Sequence, residues 1–362
     1  MKGYENSRKT RRGLLMALAA AALAAMVALA GCGGDQGSGS SSDEGAYKDL
    51  DPVTLILSDS TSKGSAGNQW GELMAEKVSA ITGGKLTIEY HGIGELGGDA
   101  DILRQEQAND IQMVLTQAAP AVPFVPGLAA FDLPMVFATQ SAEQIDSVLN
   151  GDNEFSQGLQ ASFEENGLHN LGWLQAATFR ETTSNKELRT LADFKGFQIR
   201  TMENANHMAF WKAVGAEPTP LAFSEVYFAL QNGTVDGQEN ATDTSVGASF
   251  QEVQKYLCRT HHIIYANFVC INKDAWDSLD PAYQEALQQA VNESAAEIAP
   301  QLADFDANNE KVMTDAGMEV IEYDEDFFTE FKNNEGVQKV YADISKQTNG
   351  LSDKLIAALD AA

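Results

Sequence analysis

Two arginines stand apart in a chain dominated by carboxylates. Arg200 closes the apolar segment Gly196-Phe197-Gln198-Ile199-Arg200, and Arg180 precedes it by twenty residues. A guanidinium is a planar fork of donors that grips a carboxylate through two parallel hydrogen bonds, which a lysine does not reproduce. Arg200 falls at the end of a strand, the place where α/β sheets hold their ligands. The 362 residues include 52 Asp and Glu against 24 Lys and Arg, for a formal charge of −28. So acidic a chain lacks the cationic surface that nucleic-acid phosphates demand. Its field also repels anions at long range. An anionic ligand therefore has to be held by specific buried arginines, with salt screening the rest beyond about 8 Å. The competing reading of either arginine is an ordinary salt bridge among so many carboxylates.

Other candidate chemistries carry less. His91, His169, His207, His261 and His262 form neither HExxH nor a nucleophile elbow, and His261-His262 lies in an apolar β-segment where a structural role fits. Gly92-Ile93-Gly94-Glu95-Leu96-Gly97 matches the GxGxxG dinucleotide fingerprint between a strand and a helix. A lone match is weak evidence, and an exported chain rarely meets a dinucleotide, so this reads as a glycine-rich turn. Beyond Cys32, only Cys258 and Cys270 remain. They form a disulfide in an oxidising compartment if adjacent strands bring them together, or stay as two buried thiols. No metal spacing is present, no cofactor is expected, and the chain reads as a non-enzyme.

The N-terminus carries an address. Ser7-Arg8-Lys9-Thr10-Arg11-Arg12 is basic, Leu14 to Ala30 is apolar, and Leu29-Ala30-Gly31-Cys32 closes the run with small residues. That order describes a signal peptide over residues 1–31. A retained membrane anchor is the rival, since the apolar run approaches the length of a span. Cys32 after Leu-Ala-Gly resembles the bacterial lipobox, which implies diacylation of its thiol and stable anchoring by two acyl chains. Arg11-Arg12 leaves twin-arginine and general export both open. Residues 32–50, rich in Gly and Ser, read as a flexible tether, with the folded part starting near Tyr47 to Val53. The protein is thus expected to be extracytoplasmic and lipid-anchored to the cell membrane.

The remaining residues suffice for two lobes. Val53–Leu57, Leu86–Tyr90 and Ile111–Leu115 read as strands, separated by a helix carrying Trp70, Met74 and Val78 and another starting at Ile102. Strand–helix alternation implies a parallel α/β sheet. Downstream, Gly196–Arg200 is a strand and Ala205–Val214 a helix. Ser224 is the expected N-cap of Glu225–Gln231, and Val235-Asp236 opens a further strand. His262–Ile271 reads as one long β-segment. Asp280-Pro281 starts a helix running to Gly317 that Pro300 should kink or break.

Several segments, in order and spacing, resemble the extracytoplasmic solute-binding proteins of TRAP transporters, the DctP-like family. They are Gly196–Arg200, Val214-Gly215-Ala216, Pro220–Tyr227, Ala229–Gly233 and Val235–Asn240, with Thr82–Lys85, Gly94–Gly98, Leu133-Pro134 and Thr182–Asn185. Asn109 departs from the family, which usually has Gly there. The resemblance implies a two-lobe periplasmic-binding-protein-like fold that closes on its ligand, with a long helix bracing both lobes. It places lobe I at residues 51–177 with about 266–305, and lobe II at 178–265 with about 306–362. It implies a small organic acid as ligand and integral membrane transporter subunits as partners. By position, Arg200 matches the carboxylate clamp, Arg180 the second arginine, Asn240 the completing amide and Phe223 the aromatic wall. Asp99 and Gln117 reach the ligand from the opposite lobe. Glu239 is expected to organise backbone or Asn240. The alternatives are a receptor feeding a sensor system and an exported hydrolase.

Overall fold

The computed structural model describes residues 45–174 and 179–362. The expected signal peptide, Cys32 and most of the expected 32–50 tether lie outside the described residues. Tyr47, near the expected start of the folded part, stacks its ring on Tyr283 at 6.0 Å.

The first lobe follows its alternation. Strands β1 (Val53–Asp59), β2 (Leu86–His91) and β3 (Met113–Gln117) are parallel, and helices α1 (Ala66–Ile81) and α2 (Asp99–Gln107) connect them. Trp70, Met74 and Val78 of α1 are buried at helical spacing. Ser65 caps that helix by accepting from the Asn68 N–H, and Gly83 and Gly84 end it with positive φ. β3 begins two residues later than the hydrophobic run because Gln112 is spent on the Ile56 N–H. Asn109 adopts φ 58°, a left-handed value that Asn tolerates where Gly is usual. Two further strands, β4 (Leu168–Leu174) and β10 (Asn267–Asn272), complete the order β2-β1-β3-β10-β4, with β10 antiparallel to both neighbours.

The second sheet has the order β11-β9-β5-β8-β6-β7. Its strands are β5 (Phe179–Ser184), β6 (Gln198–Thr201), β7 (Glu217–Pro220), β8 (Gly237–Asn240), β9 (Tyr256–Ile264) and β11 (Glu319–Ile321). Three local expectations are corrected. The segment His262–Ile271 is two strands in two sheets, broken at Tyr265-Ala266, where the Ala266 carbonyl turns to accept from the Ala118 N–H. Ser224 is no N-cap: the chain passes through a 3-10 turn at Phe223–Glu225 before the helix Val226–Gln231, which has no side-chain cap. Asp236 precedes β8 rather than opening it, because its carboxylate is drawn to the Gln198 N–H and Lys186.

The brace forms as its punctuation dictates. Asp280 caps the helix Pro281–Ile298, and Pro300, which has no N–H to donate, breaks the run into a 3-10 turn at Ala299–Gln301 before Leu302–Asp315 continues it. Its first half packs on α1 and β4 of the first lobe, with Trp70 Nε1 donating to Ser294 at 2.9 Å. Its second half packs on the helix Thr242–Gly247 of the second. Arg259 on β9 reaches the same half through Asp306 and Glu310. Cys258 lies in the second sheet and Cys270 in the first, and both are free buried thiols. Among the described residues no helix is long and apolar enough to cross a membrane.

Candidate functional site

Arg180 and Arg200 both belong to the second sheet and both are buried, with 1% and 3% of their surface exposed. Their environments differ. Arg180 is heavily engaged: Nε and Nη2 meet the Glu239 carboxylate, Nη2 also donates to the Glu239 carbonyl at 2.8 Å, and Nη1 donates to Gln117 Oε1 at 2.6 Å. Its guanidinium carbon sits 5.7 Å from the centre of the Tyr265 ring. The Gln117 contact joins β3 of the first sheet to β5 of the second, so the two lobes meet at this arginine.

Glu239 is the hub behind it. Burial by itself would raise its carboxyl, but Arg180, then His262 and His207, hold it well below the usual carboxylate range. His262 Nε2 lies 3.1 Å from Glu239, and its Nδ1 lies 2.8 Å from the Thr260 hydroxyl. Burial pushes His262 down, so it is neutral, donating to Glu239 from Nε2 and accepting from Thr260 at Nδ1. On the far side, His207 Nε2 meets Asp132 at 3.0 Å, and Asp132 also accepts from Asn204 and Asn206. The sequence carries no local sign of this network as a whole. His262 was legible as structural, but Glu239, His207 and Asp132 gave no local sign of their partners.

Arg200 has no such counter-charge. Its Nε and Nη2 both donate to the Leu221 carbonyl, at 3.0 and 2.6 Å, and no carboxylate lies within 4.0 Å among the described residues. Burial lowers its basicity to about 10; Glu239 opposes that, Arg180 adds to it and Asp99 opposes it. It is therefore still a cation at neutral pH. In the parallel ladder Arg200 is the register partner of Gln238, so Arg200, Gln238 and Asn240 share a face. Asn240 Nδ2 donates to Gln238 at 3.3 Å, while its buried Oδ1 has no hydrogen-bond partner among the described residues. Phe223, two residues past the Leu221 carbonyl, is 40% exposed and meets Phe250 edge-on.

From the first lobe, Gln117 reaches Arg180, as above. Asp99, the first residue of α2, is held by the Ser60 and Thr116 hydroxyls, each 2.6 Å from its Oδ1. The glycine-rich turn is committed elsewhere: the Asp59 carboxylate accepts from the Ile93 N–H and the Asp59 carbonyl from the Gly94 N–H. Those donors are not free to cradle a phosphate.

A buried cation without a carboxylate, at the end of a strand, has the means to receive an anion. The family model for DctP, the bacterial extracellular solute-binding proteins of family 7, matches residues 57–348. The chain belongs to that family. Among its relatives, the sialic acid-binding periplasmic protein SiaP of Vibrio cholerae is 28% identical, over 81% of this chain and 84% of that one. The C4-dicarboxylate-binding periplasmic protein DctP of Rhodobacter capsulatus is 32% identical, over 66% and 69%. A TRAP periplasmic solute-binding protein from Sulfitobacter sp. NAS-14.1, solved with bound β-D-galacturonate, superposes with a TM-score of 0.77 at 26% identity, covering 86% of this chain and all of that one. This family 7 protein is accordingly an extracytoplasmic TRAP-type solute-binding protein with the two-lobe fold, of a class that binds small organic acids and works with membrane transporter subunits. Its relatives are transport receptors, which disfavours the sensor and hydrolase readings.

Proposed function

We propose that the protein captures the carboxylate of a small organic acid on Arg200, closes its lobes around it and hands it to the membrane subunits without chemical change. The observation that carries this is the burial of Arg200 against a single carbonyl. A buried guanidinium costs free energy unless an anion completes it, so a ligand carboxylate gains what the free protein lacks. Arg180 serves as the second arginine, fixed by Glu239 and bridging to Gln117. Asn240 supplies an amide, Phe223 a half-exposed aromatic wall, and Asp99 and Gln117 the contacts from the other lobe. Closure follows only if the ligand binds the closed state more tightly than the open one. The ligands of SiaP, of the Rhodobacter protein and of the Sulfitobacter protein all carry a carboxylate, which supports the reading.

Thermal unfolding against a panel of organic acids tests it. A ligand at a hundred times its dissociation constant adds about 2.7 kcal/mol, a shift of several degrees. Arg200→Ala is expected to abolish the shift and leave the unliganded protein at least as stable, since an uncompensated charge has been removed. An unchanged shift in that variant would refute the clamp.

We further propose that export removes residues 1–31 and that acylated Cys32 tethers the domain through the Gly/Ser segment. The basic and apolar lead ending on Cys32 supports it. Cys32→Ser should move the protein from the membrane pellet to the soluble fraction. Retention in the pellet would require another anchor.

A further inference from the structure

This inference rests on the Arg200 reading and narrows its ligand. Three polar groups at the site are only partly matched by the described residues, and they are not of one kind. Arg200 is a cation without a carboxylate. Asn240 presents a buried acceptor oxygen. Asp99 is an anion whose Oδ1 takes both hydroxyls, Ser60 and Thr116, leaving Oδ2 without a donor. Gln117, with Oε1 given to Arg180, keeps a neutral amide donor.

Asp99 lies on the first-lobe side of the junction with the arginine-bearing sheet. Thr116, which holds it, directly precedes Gln117, and Gln117 touches Arg180 in the opposite sheet at 2.6 Å. The field of Asp99 is also felt at Arg200 and at Tyr265. A ligand lying between the two therefore meets a positive fork at one end and an anionic acceptor at the other. A second carboxylate would be set against Asp99 with no cation left to receive it, because Arg180 is neutralised by Glu239. Like charges brought together in a closed cleft are unfavourable, and an acceptor left without a donor is costly too. Hydroxyls satisfy Asp99 Oδ2 and Asn240 Oδ1 by donating one hydrogen bond to each. We propose that the site selects hydroxylated monocarboxylates, the sugar acids, and discriminates against dicarboxylates, with Asp99 as the selecting residue.

Matched pairs isolate the second carboxylate: D-galactonate against galactarate, D-gluconate against D-glucarate, and D-erythronate against meso-tartrate. Each pair differs only in oxidation of the terminal carbinol. Calorimetry on the purified protein should show at least one monoacid binding ten-fold or more tightly than its diacid. Asp99→Asn keeps the acceptor for Ser60 and Thr116 but removes the charge. It should weaken the monoacid several-fold and shrink the ratio within the pair toward one. The ratio is taken within one protein, so a partly unfolded preparation does not disturb it. A diacid bound as tightly as its monoacid, a ratio unmoved by Asp99→Asn, or no binding by any pair member overturns the selection. Binding of other carboxylates that Arg200→Ala abolishes would then leave the clamp standing alone. Binding of neutral sugars only, untouched by Arg200→Ala, sinks both.

Discussion

Glu239 and Glu106 are both fully buried carboxyls, one in each lobe, and they exist in opposite states. Glu239 lies in the second sheet against Arg180, His262 and, at 4.0 Å, His207, and it stays ionised well into acid. Glu106, near the end of α2, has the Cys270 thiol donating to Oε2 at 3.3 Å and nothing on Oε1 among the described residues. Burial pushes its carboxyl up to about 8, so it is neutral at physiological pH. Burial is common to the two; the supply of a cation separates them. The second lobe holds fixed charge in its interior and can thereby pin Arg180 next to the cleft. In the first lobe Glu106 is given no such cation, and the site charge that lobe contributes, Asp99, is held only by the Ser60 and Thr116 hydroxyls.

The largest effect expected from this contrast is at Glu239. Glu239→Ala leaves Arg180 buried without a counter-ion and should cost about 3–5 kcal/mol in urea unfolding of the free protein. The double variant Arg180→Met/Glu239→Leu removes both charges and should recover most of that loss, because buried pairs contribute little net stability over apolar residues of similar size. If the double variant is as unstable as the single one, the network holds the lobe together and does more than position Arg180. The pH sign follows from the depressed carboxyl. Its contribution is present above the unfolded value near 4.5 and fades as the pH falls below it.

What was legible in the sequence was local. Asp280-Pro281 and Pro300 announced the start and break of the brace because a cap and a missing N–H act within one turn. The strand ending on Arg200 was readable from its apolar run. That Arg200 would be left without a carboxylate was not, since this depends on where 52 acidic residues do not go. Glu239 was expected to serve the backbone or its neighbour Asn240, and instead it holds Arg180 from 59 residues away. The run His262–Ile271 looked uniform because both halves are buried strands; only the assignment of Ile264 and Asn267 to different sheets reveals the crossing between lobes. For the same reason the pairing of Cys258 with Cys270 was open in the sequence. The two cysteines are twelve residues apart along the chain yet sit in separate sheets.

The smaller effect is at Glu106, and its signature is a slope with pH. In the folded protein this carboxyl keeps its proton up to about 8, while in the unfolded chain it releases it near 4.5. Between those values the folded state binds more protons, so stability falls as pH rises, by about 1.4 kcal/mol for each pH unit for a single group. Below about 4.5 both states are protonated and the term vanishes. Glu106→Gln keeps the shape and the acceptor for Cys270 but cannot ionise. Urea unfolding at pH 6 and pH 7 should therefore show the wild type losing about 1.4 kcal/mol more than the variant over that unit. Other titrating groups, such as His261 beside Glu181, are common to both proteins and cancel in the difference. Parallel profiles for the two proteins would mean that Glu106 is ionised in the fold. The first lobe would then hold an uncompensated buried charge as the second does at Arg200, and the distinction between the lobes would have to be drawn elsewhere.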